Sequence, residues 1–376
     1  MFNALPLTGS MRGLKRTLRM RRWFPVLALM VVLGAGGSWW LGSSRTQLPE
    51  GLERHAGTLA GPPAESGDHQ AAVPVPAPAS ALSDGQGGTD RAPGPPPASS
   101  IWREPLTGME FVWVTGGCFW MGGATAETRW DKDEIPRHKV CLDGFWLGRF
   151  EVTRGQFRIF LDRGGYVTDA EREGYAWAYA GKWEQKPGFS WRHPGFAQDE
   201  NHPVVNVSWH DAKAMAAWLE AESRRPVALP TEAQWEYACR AGTEGVRFWG
   251  DPPDSACAFA NVADRTAARE FPAWIVHSCA DGAVFTAAVG SYTANPWGFH
   301  DMLGNVWEWC EDVYQADAYA HHALNNPLMV KGGRERVVRG GSWYSRPESV
   351  RCADRERLRE PSRRSHDQGF RLAIER

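Results

Sequence analysis

Candidate metal ligands and closely spaced tryptophans are concentrated in residues 298–309, which read GFHDMLGNVWEW. Trp307 and Trp309 flank Glu308 in this segment. Successive side chains of a strand point to opposite faces, so both indoles would face one side and the carboxylate the other. The alternative is an ordinary core strand whose Glu308 is solvated.

The pair at residues 304–305 is Gly-Asn, which favours a turn with positive φ just before that strand. Such a turn brings the side chain of Asp301, the turn carbonyls and the side chain of Glu308 toward one point. Oxygen ligands that converge on a tight turn suit a hard cation such as calcium. The segment is therefore a candidate calcium site.

Three helix starts precede this segment in the chain, and each has a hydroxyl residue followed three positions later by Gln or Asp. The pairs are Thr153 with Gln156, Ser208 with Asp211, and Thr231 with Gln234. This pattern is typical of capping boxes and predicts three helices.

Short apolar runs predict strands around these helices. One pair of strands is expected at 109–114 and 116–122, a second at 136–142 and 145–148, and single strands at 306–309, 336–339, 341–344 and 369–373. Residues 243–296 show no periodicity, and an irregular segment of this length is usually functional or held by metal or disulfide. We expect an α+β domain with little regular secondary structure.

The N-terminal region has a different composition. Residues 1–22 contain six basic residues and no acid, and residues 23–42 contain no charge at all. A twenty-residue apolar run is long enough to cross a bilayer as a helix, and the basic flank places the N-terminus in the cytoplasm. We therefore predict an inner-membrane signal anchor with the remaining chain periplasmic or extracellular. A cleaved signal peptide is the alternative.

Residues 43–100 are rich in Pro, Ala, Gly and Ser, which predicts a disordered linker, and residues 101–376 have a globular composition. The net charge of −2 and the lack of a basic patch interleaved with aromatics argue against a nucleic-acid partner. All seven cysteines lie in the globular part, so at least one thiol stays unpaired within the chain.

The order of motifs in residues 111–373 resembles the formylglycine-generating enzyme, or sulfatase-modifying factor, family. The motifs that carry the resemblance are FWLG at 145–148, HPVVNVSW at 202–209, LPTEAQWEYA at 229–238, GNVWEW at 304–309, RGGSW at 339–343, RCADR at 351–355 and GFRLA at 369–373. The resemblance implies a C-type-lectin-like fold of low regular secondary structure.

The resemblance also implies two structural calcium sites. The ligands of one map onto Asn261, Val262, Asp281 and Ala283, and those of the other onto Asp301, Gly304, Val306 and Glu308. Positions occupied by Val, Ala and Gly would donate main-chain carbonyls, which any side chain permits.

One disulfide of the family maps onto Cys239 and Cys352. Proximity in the sequence suggests Cys118 with Cys141 and Cys257 with Cys279, which leaves Cys310 as a free, buried thiol.

The sequence departs from the family where formylglycine chemistry needs two cysteines five residues apart. The first of these positions is Ser345, and residues 346–350 contain no thiol. A hydroxyl does not hold copper(I), which prefers soft sulfur ligands, so we do not expect copper or formylglycine generation. A mononuclear iron site assembled from distant residues stays open, because the histidines are scattered and His321 and His322, being adjacent, would point in different directions.

The resemblance places a substrate groove beside Ser342, Trp343, Ser345 and Arg351, and Trp307 could join them. Aromatic walls, hydroxyls and an arginine could hold a peptide, a protein segment or a secreted small molecule. Two functions follow. One is an oxidoreductase-like enzyme that acts on a peptide or secreted metabolite. The alternative is a non-catalytic, calcium-stabilised binding or assembly module.

Overall fold

The computed structural model describes residues 100–123, 131–356 and 359–375. The predicted basic segment 1–22, the predicted anchor 23–42 and the predicted linker as far as residue 99 lie outside the described residues. Within the described ranges, no helix combines the length and the apolar character that crossing a bilayer requires.

Four α-helices occur in the described part of the chain, and three of them begin at the predicted capping boxes. Their bounds are α1 (Arg154–Gly164), α2 (Asp169–Glu173), α3 (Trp209–Ser223) and α4 (Glu232–Arg240). In α1, for example, Thr153 Oγ1 accepts a hydrogen bond from the Gln156 amide at 3.2 Å. Helix α2 was not predicted, although Thr168 and Glu171 form the same reciprocal cap.

The strands are short. They are β1 (Ile101–Arg103), β2 (Glu110–Val114), β3 (Gly117–Met121), β4 (His138–Leu142), β5 (Phe145–Gly148), β6 (Tyr175–Tyr179), β7 (Trp183–Pro187), β8 (Val227–Ala228), β9 (Trp307–Val313), β10 (Arg336–Arg339), β11 (Arg355–Glu356), β12 (Gln368–Gly369) and β13 (Ala373–Ile374). One sheet has the order β1-β2-β5-β13-β8 and another the order β11-β10-β9-β12, while β3 pairs with β4 and β6 with β7.

Two predicted features of the strands are wrong. The four early strands exist, but β2 pairs with β5 and β3 pairs with β4, so neither expected neighbouring pair forms. Residues 341–344 form a turn instead of a strand. Gly340 and Gly341 have φ of 102° and 81°, which a strand does not accommodate. The strand expected at 369–373 is divided into β12 and β13.

The five-stranded sheet separates two apolar clusters because successive side chains of β2 point to opposite faces. Val112 and Val114 pack on the side of α4, together with Trp235, while Phe111 packs on the side of α1 and α3, together with Phe157. Trp307 and Trp309 of β9 belong to the second cluster. The core therefore holds β9 and the turn before it in a fixed position.

Three disulfides are present, and they are the expected ones: Cys118–Cys141, Cys239–Cys352 and Cys257–Cys279. Cys310 is a buried free thiol, as predicted. The Cys257–Cys279 bond closes the irregular segment that follows α4, and the Cys239–Cys352 bond ties α4 to the segment after β10.

Candidate functional site

The turn before β9 has the backbone that the sequence predicts. Asp301, Gly304 and Asn305 have φ of 55°, 81° and 56°. Gly304 is required for a second reason, because a Cβ at this position would lie 2.3 Å from the carbonyl oxygen of Asn261. The turn is thus packed directly against the segment that carries the other predicted calcium ligands.

Three carboxylates are buried beside this turn. Asp301 and Glu308 were expected here, and Glu151 joins them by accepting hydrogen bonds from Asn305 Nδ2 at 2.8 Å and from the Val306 amide at 3.2 Å. Glu308 is fully buried, so the alternative of a solvated Glu308 is wrong. The sequence analysis did not select Glu151 as a site residue. Its sequence signal was its place in residues 151–153, Glu-Val-Thr, shortly after β5.

The electrostatics of this group favour a cation. Burial, Asp301 and Glu308 raise the pKa of Glu151 well above its usual value, and burial raises the pKa of Asp301 to about 6. Arg371 offsets one charge through two hydrogen bonds of 2.6 Å to Glu308. Asp301 Oδ1 is buried and has no hydrogen-bond partner within the described ranges. An unpartnered buried carboxylate oxygen is the kind of atom that a hard cation would satisfy.

The second predicted ligand set lies in the adjacent irregular segment. Asp281 accepts hydrogen bonds from the amides of Val262 and Ala283, both at 2.8 Å. Asn261 Oδ1 is buried and unpartnered among the described atoms. Burial, helped by Asp264, raises the pKa of Asp281 to about 7. These side-chain and main-chain oxygens could also hold a hard cation.

Asp264 is a further carboxylate of this second set that the sequence gave no reason to select. It is fully buried and accepts from the amides of Thr266 at 2.7 Å, Ala267 at 2.9 Å and Asp281. It thereby folds the segment around Asp281 and adds negative charge beside it.

The two ligand sets are joined by one side chain. Asn305 Oδ1 accepts from Asn261 Nδ2 at 3.1 Å, while Asn305 Nδ2 donates to Glu151 at 2.8 Å. The amide therefore fixes the spacing between the two groups of carboxylates.

A cleft of about 340 Å³ opens on the other side of β9. Its wall contains aromatic rings, hydroxyls and charged residues: Tyr179, Ala273, Trp274, Ile275, Trp307, Tyr344, Ser345, Arg346, Ser349 and Glu356. Within this described lining there is no cysteine and no histidine. Trp274 packs on Tyr179 and Tyr344, with ring centroids 5.5 and 6.1 Å apart.

Of the five predicted groove residues, Trp307 and Ser345 line the cleft. Ser342 and Trp343 are buried behind it, with Trp343 1% exposed. Arg351 lies elsewhere, since its guanidinium makes two hydrogen bonds of 2.6 Å to Glu134 and one of 2.8 Å to Asp354. The structure therefore brings together two of the five.

Local hydrogen bonds fix Ser345. Its Oγ accepts from the Ser342 amide at 2.9 Å, and its amide donates to the Ser342 carbonyl at the same distance. Trp307 Nε1 is buried and unpartnered in the described part of the chain. The cleft wall thus contains one hydroxyl in a fixed position.

The free thiol is not part of the cleft. Cys310 lies on β9 in the apolar cluster beside α4. Burial raises the pKa of its thiol well above the usual value, and Glu232 raises it further. A protonated, buried thiol is a poor nucleophile and a poor metal ligand.

Residues 98–376 match the family model of the sulfatase-modifying factor enzyme 1-like domain. The formylglycine-generating enzyme of Mus musculus is 31% identical over 310 residues, which cover 74% of this chain and 78% of that protein. The serine/threonine-protein kinase Pkn1 of Chlamydia trachomatis is 32% identical over 276 residues, which cover 73% of this chain but 39% of the kinase. The structure of PvdO from Pseudomonas aeruginosa superposes with a TM-score of 0.62 at 27% identity, covering 74% of this chain and 98% of PvdO.

Proposed function

Because this chain belongs to the sulfatase-modifying factor enzyme 1-like family, we propose that it keeps the family scaffold as a binding module and does not convert cysteine to formylglycine. In this proposal the cleft beside Ser345 and Trp307 binds an extended peptide or a secreted small molecule. The observation that carries the proposal is the lining of the cleft, which contains Ser345, the residue that the resemblance aligns with the family's first reactive cysteine, and no cysteine among the described lining residues.

The chemistry of the cleft supports binding. Aromatic side chains offer apolar surface, and the Ser345 hydroxyl offers a directional hydrogen bond. A small number of polar groups in a mostly apolar wall is typical of ligand sites. The similarity to part of Pkn1, a protein named for a different chemistry, also supports a role for this domain apart from formylglycine formation.

Calcium belongs to this proposal as the ion that stabilises the scaffold. The two ligand sets supply carboxylate, amide and main-chain oxygens, the donor types that calcium prefers. Asn261 Oδ1 and Asp301 Oδ1, one from each set, are buried without a hydrogen-bond partner among the described residues. Bound calcium would satisfy these atoms and offset the buried negative charge.

We further propose an extracytoplasmic location with anchoring through residues 23–42. The three disulfides support an oxidising compartment. The anchor rests on the length and uncharged character of the segment.

The first experiment tests the loss of the family chemistry. The purified full-length chain is incubated with copper(I), oxygen and a sulfatase-type cysteine peptide, and aldehyde is measured by mass spectrometry. We expect no aldehyde above the peptide-only control, with the mouse relative as the positive control. Sustained turnover would overturn the proposal.

The second experiment tests binding. Blocked peptides of varied central residue are titrated while tryptophan fluorescence is measured, and Ser345→Trp is used to fill the cleft. We expect at least one peptide to bind saturably and Ser345→Trp to weaken it at least about tenfold. Ser255→Trp, at an exposed serine outside the cleft lining, is the matched control, and equal effects of both variants would contradict binding beside Ser345.

An oxidoreductase-like enzyme is the second candidate, and the similarity to proteins named formylglycine-generating enzyme favours it. Elemental analysis separates the two. Iron or copper near one atom per chain would support the enzyme, whereas calcium alone would support the binding module.

A further inference from the structure

The structure brings together two histidines that are 184 residues apart. His138 lies on β4, and His322 follows the short 3₁₀ turn Ala318–Ala320. His138 Nε2 and His322 Nδ1 are separated by 3.0 Å. Both rings pack on Tyr319, with centroid distances of 4.9 and 5.2 Å. The pair lies outside both the cleft lining and the candidate calcium ligands.

The hydrogen bonds of His138 prepare its other nitrogen as a ligand. Its Nδ1 lies 3.0 Å from the Pro136 carbonyl, to which only an N–H can donate. The lone pair of Nε2 then points toward His322. Metal-binding histidines commonly donate their second ring N–H to a carbonyl in this way, because the bond fixes both the tautomer and the ring orientation.

The separation of the two nitrogens matches that of two ligands on one metal ion. With metal–nitrogen bonds of about 2.0–2.1 Å, two such ligands lie about 2.9 Å apart at a right angle and about 3.3 Å apart at the tetrahedral angle. The observed 3.0 Å falls between these values. We propose that His138 and His322 bind one divalent transition-metal ion of the zinc, copper(II) and nickel class, with the remaining positions open to water or to an external ligand.

The surroundings of His322 favour a neutral imidazole. Burial lowers the pKa of His322 to about 4, although Glu232 opposes the shift. A neutral ring binds metal without first losing a proton. Tyr319, against which both rings pack, donates from its hydroxyl to Glu232 at 3.2 Å and so holds its own ring in place.

His321 provides a matched control. It is adjacent in sequence, but its side chain is 61% exposed and its Nε2 lies 3.3 Å from Asp317. It therefore has the same side chain in the same segment without access to His138.

The test uses the purified full-length chain, kept in calcium so that any oxygen-ligand sites are filled. Zinc and copper(II) are titrated separately against a chromophoric chelator, and copper binding is also followed by electron paramagnetic resonance. We expect one equivalent to bind, with nitrogen ligands in the copper spectrum. His138→Gln and His322→Asn should each weaken binding at least tenfold, and His321→Asn should change it less than twofold.

A second measurement keeps the proposal testable if a variant misfolds. Diethyl pyrocarbonate modification of the unmutated chain is mapped by mass spectrometry with and without zinc, and zinc should protect His138 but not His321. Absence of binding, equal loss in His321→Asn, or protection of both histidines alike would overturn the proposal.

Discussion

Neighbouring residues of β9 serve two regions that differ in how they are built. Trp307 lines the cleft, whereas Glu308 faces the buried carboxylates and Arg371. The carboxylate side depends on main-chain amides, left-handed backbone and a glycine with no space for a Cβ. The cleft side depends on side chains, of which Trp307 and Ser345 are buried and Arg346 is exposed.

In the proposed function the family scaffold persists without the family chemistry, and this difference accounts for that persistence. At the carboxylate side, the oxygens of Glu151 and Glu308 are held by amides and a guanidinium, so a substitution disturbs several partners at once. At the cleft, the exchange of a thiol for the Ser345 hydroxyl affects one local hydrogen bond to Ser342. Reactive groups are therefore easier to lose than the fold that positions them.

The largest effect should follow from Arg371→Ala. Arg371 is fully buried and makes two hydrogen bonds to Glu308, so its removal leaves an uncompensated buried carboxylate. Breaking a buried pair in this way costs about 3–5 kcal/mol. Urea unfolding measures the loss. Arg346→Ala, whose side chain is 60% exposed at the cleft, is the control and should change stability by no more than about 0.5 kcal/mol.

The second prediction concerns pH in calcium-free buffer. Burial raises the pKa of Asp281 from 3.8 to about 7, so the folded chain binds more protons than the unfolded chain between these values. The contribution of Asp281 to the free energy of unfolding is then fully present below about pH 4 and is lost as the pH rises through about 7. The loss between pH 5 and pH 8 is on the order of 3 kcal/mol. Unfolding at these two pH values checks the sign, and Asp281→Asn should reduce the difference, while Asp301 and Glu151, whose pKa values burial also raises, keep part of it.

The third prediction concerns calcium itself. An ion that binds only the folded state at 100 times its dissociation constant adds about 2.7 kcal/mol. Chelation at pH 7.5 should therefore lower the melting temperature, and added calcium should offset most of the loss of stability between pH 5 and pH 8. Magnesium should restore less because it prefers a smaller octahedral shell. An unchanged melting temperature would show that the carboxylate side holds no calcium.

The sequence predicted the parts of the fold that local patterns determine. Three helices begin where their capping boxes indicate, and the Gly304-Asn305 turn has the expected positive φ. Strand partners were predicted incorrectly because pairing is set by contacts between distant segments, as when β2 pairs with β5 across the intervening β3 and β4.

The candidate sites show the same limit. The resemblance identified Asp301 and Glu308 as candidate ligands. Asp264 and Glu151 join the two sets of candidate calcium ligands only because the fold brings separate segments of the chain together, so the sequence did not identify them. His138 and His322 are the clearest case, because no spacing rule applies to two residues 184 positions apart. Arg351 shows the opposite error. It was predicted to line the groove because it is close to the Gly-Gly-Ser motif in sequence, but its side chain forms an ion pair with Glu134 away from the cleft.

The smallest effect, and the sharpest comparison with Arg371→Ala, should follow from Ser345→Ala. Ser345 Oγ accepts one hydrogen bond from the Ser342 amide, and its loss should cost about 0.5–1.5 kcal/mol. Calcium-dependent stabilisation should stay the same, because Ser345 belongs to neither set of candidate calcium ligands, whereas affinity for any peptide that uses the hydroxyl should fall. Urea unfolding with and without calcium measures the first two quantities, and fluorescence titration measures the third. If Ser345→Ala instead destabilised the chain as much as Arg371→Ala, the cleft would be part of the scaffold, and the contrast between the two faces of β9 would not hold.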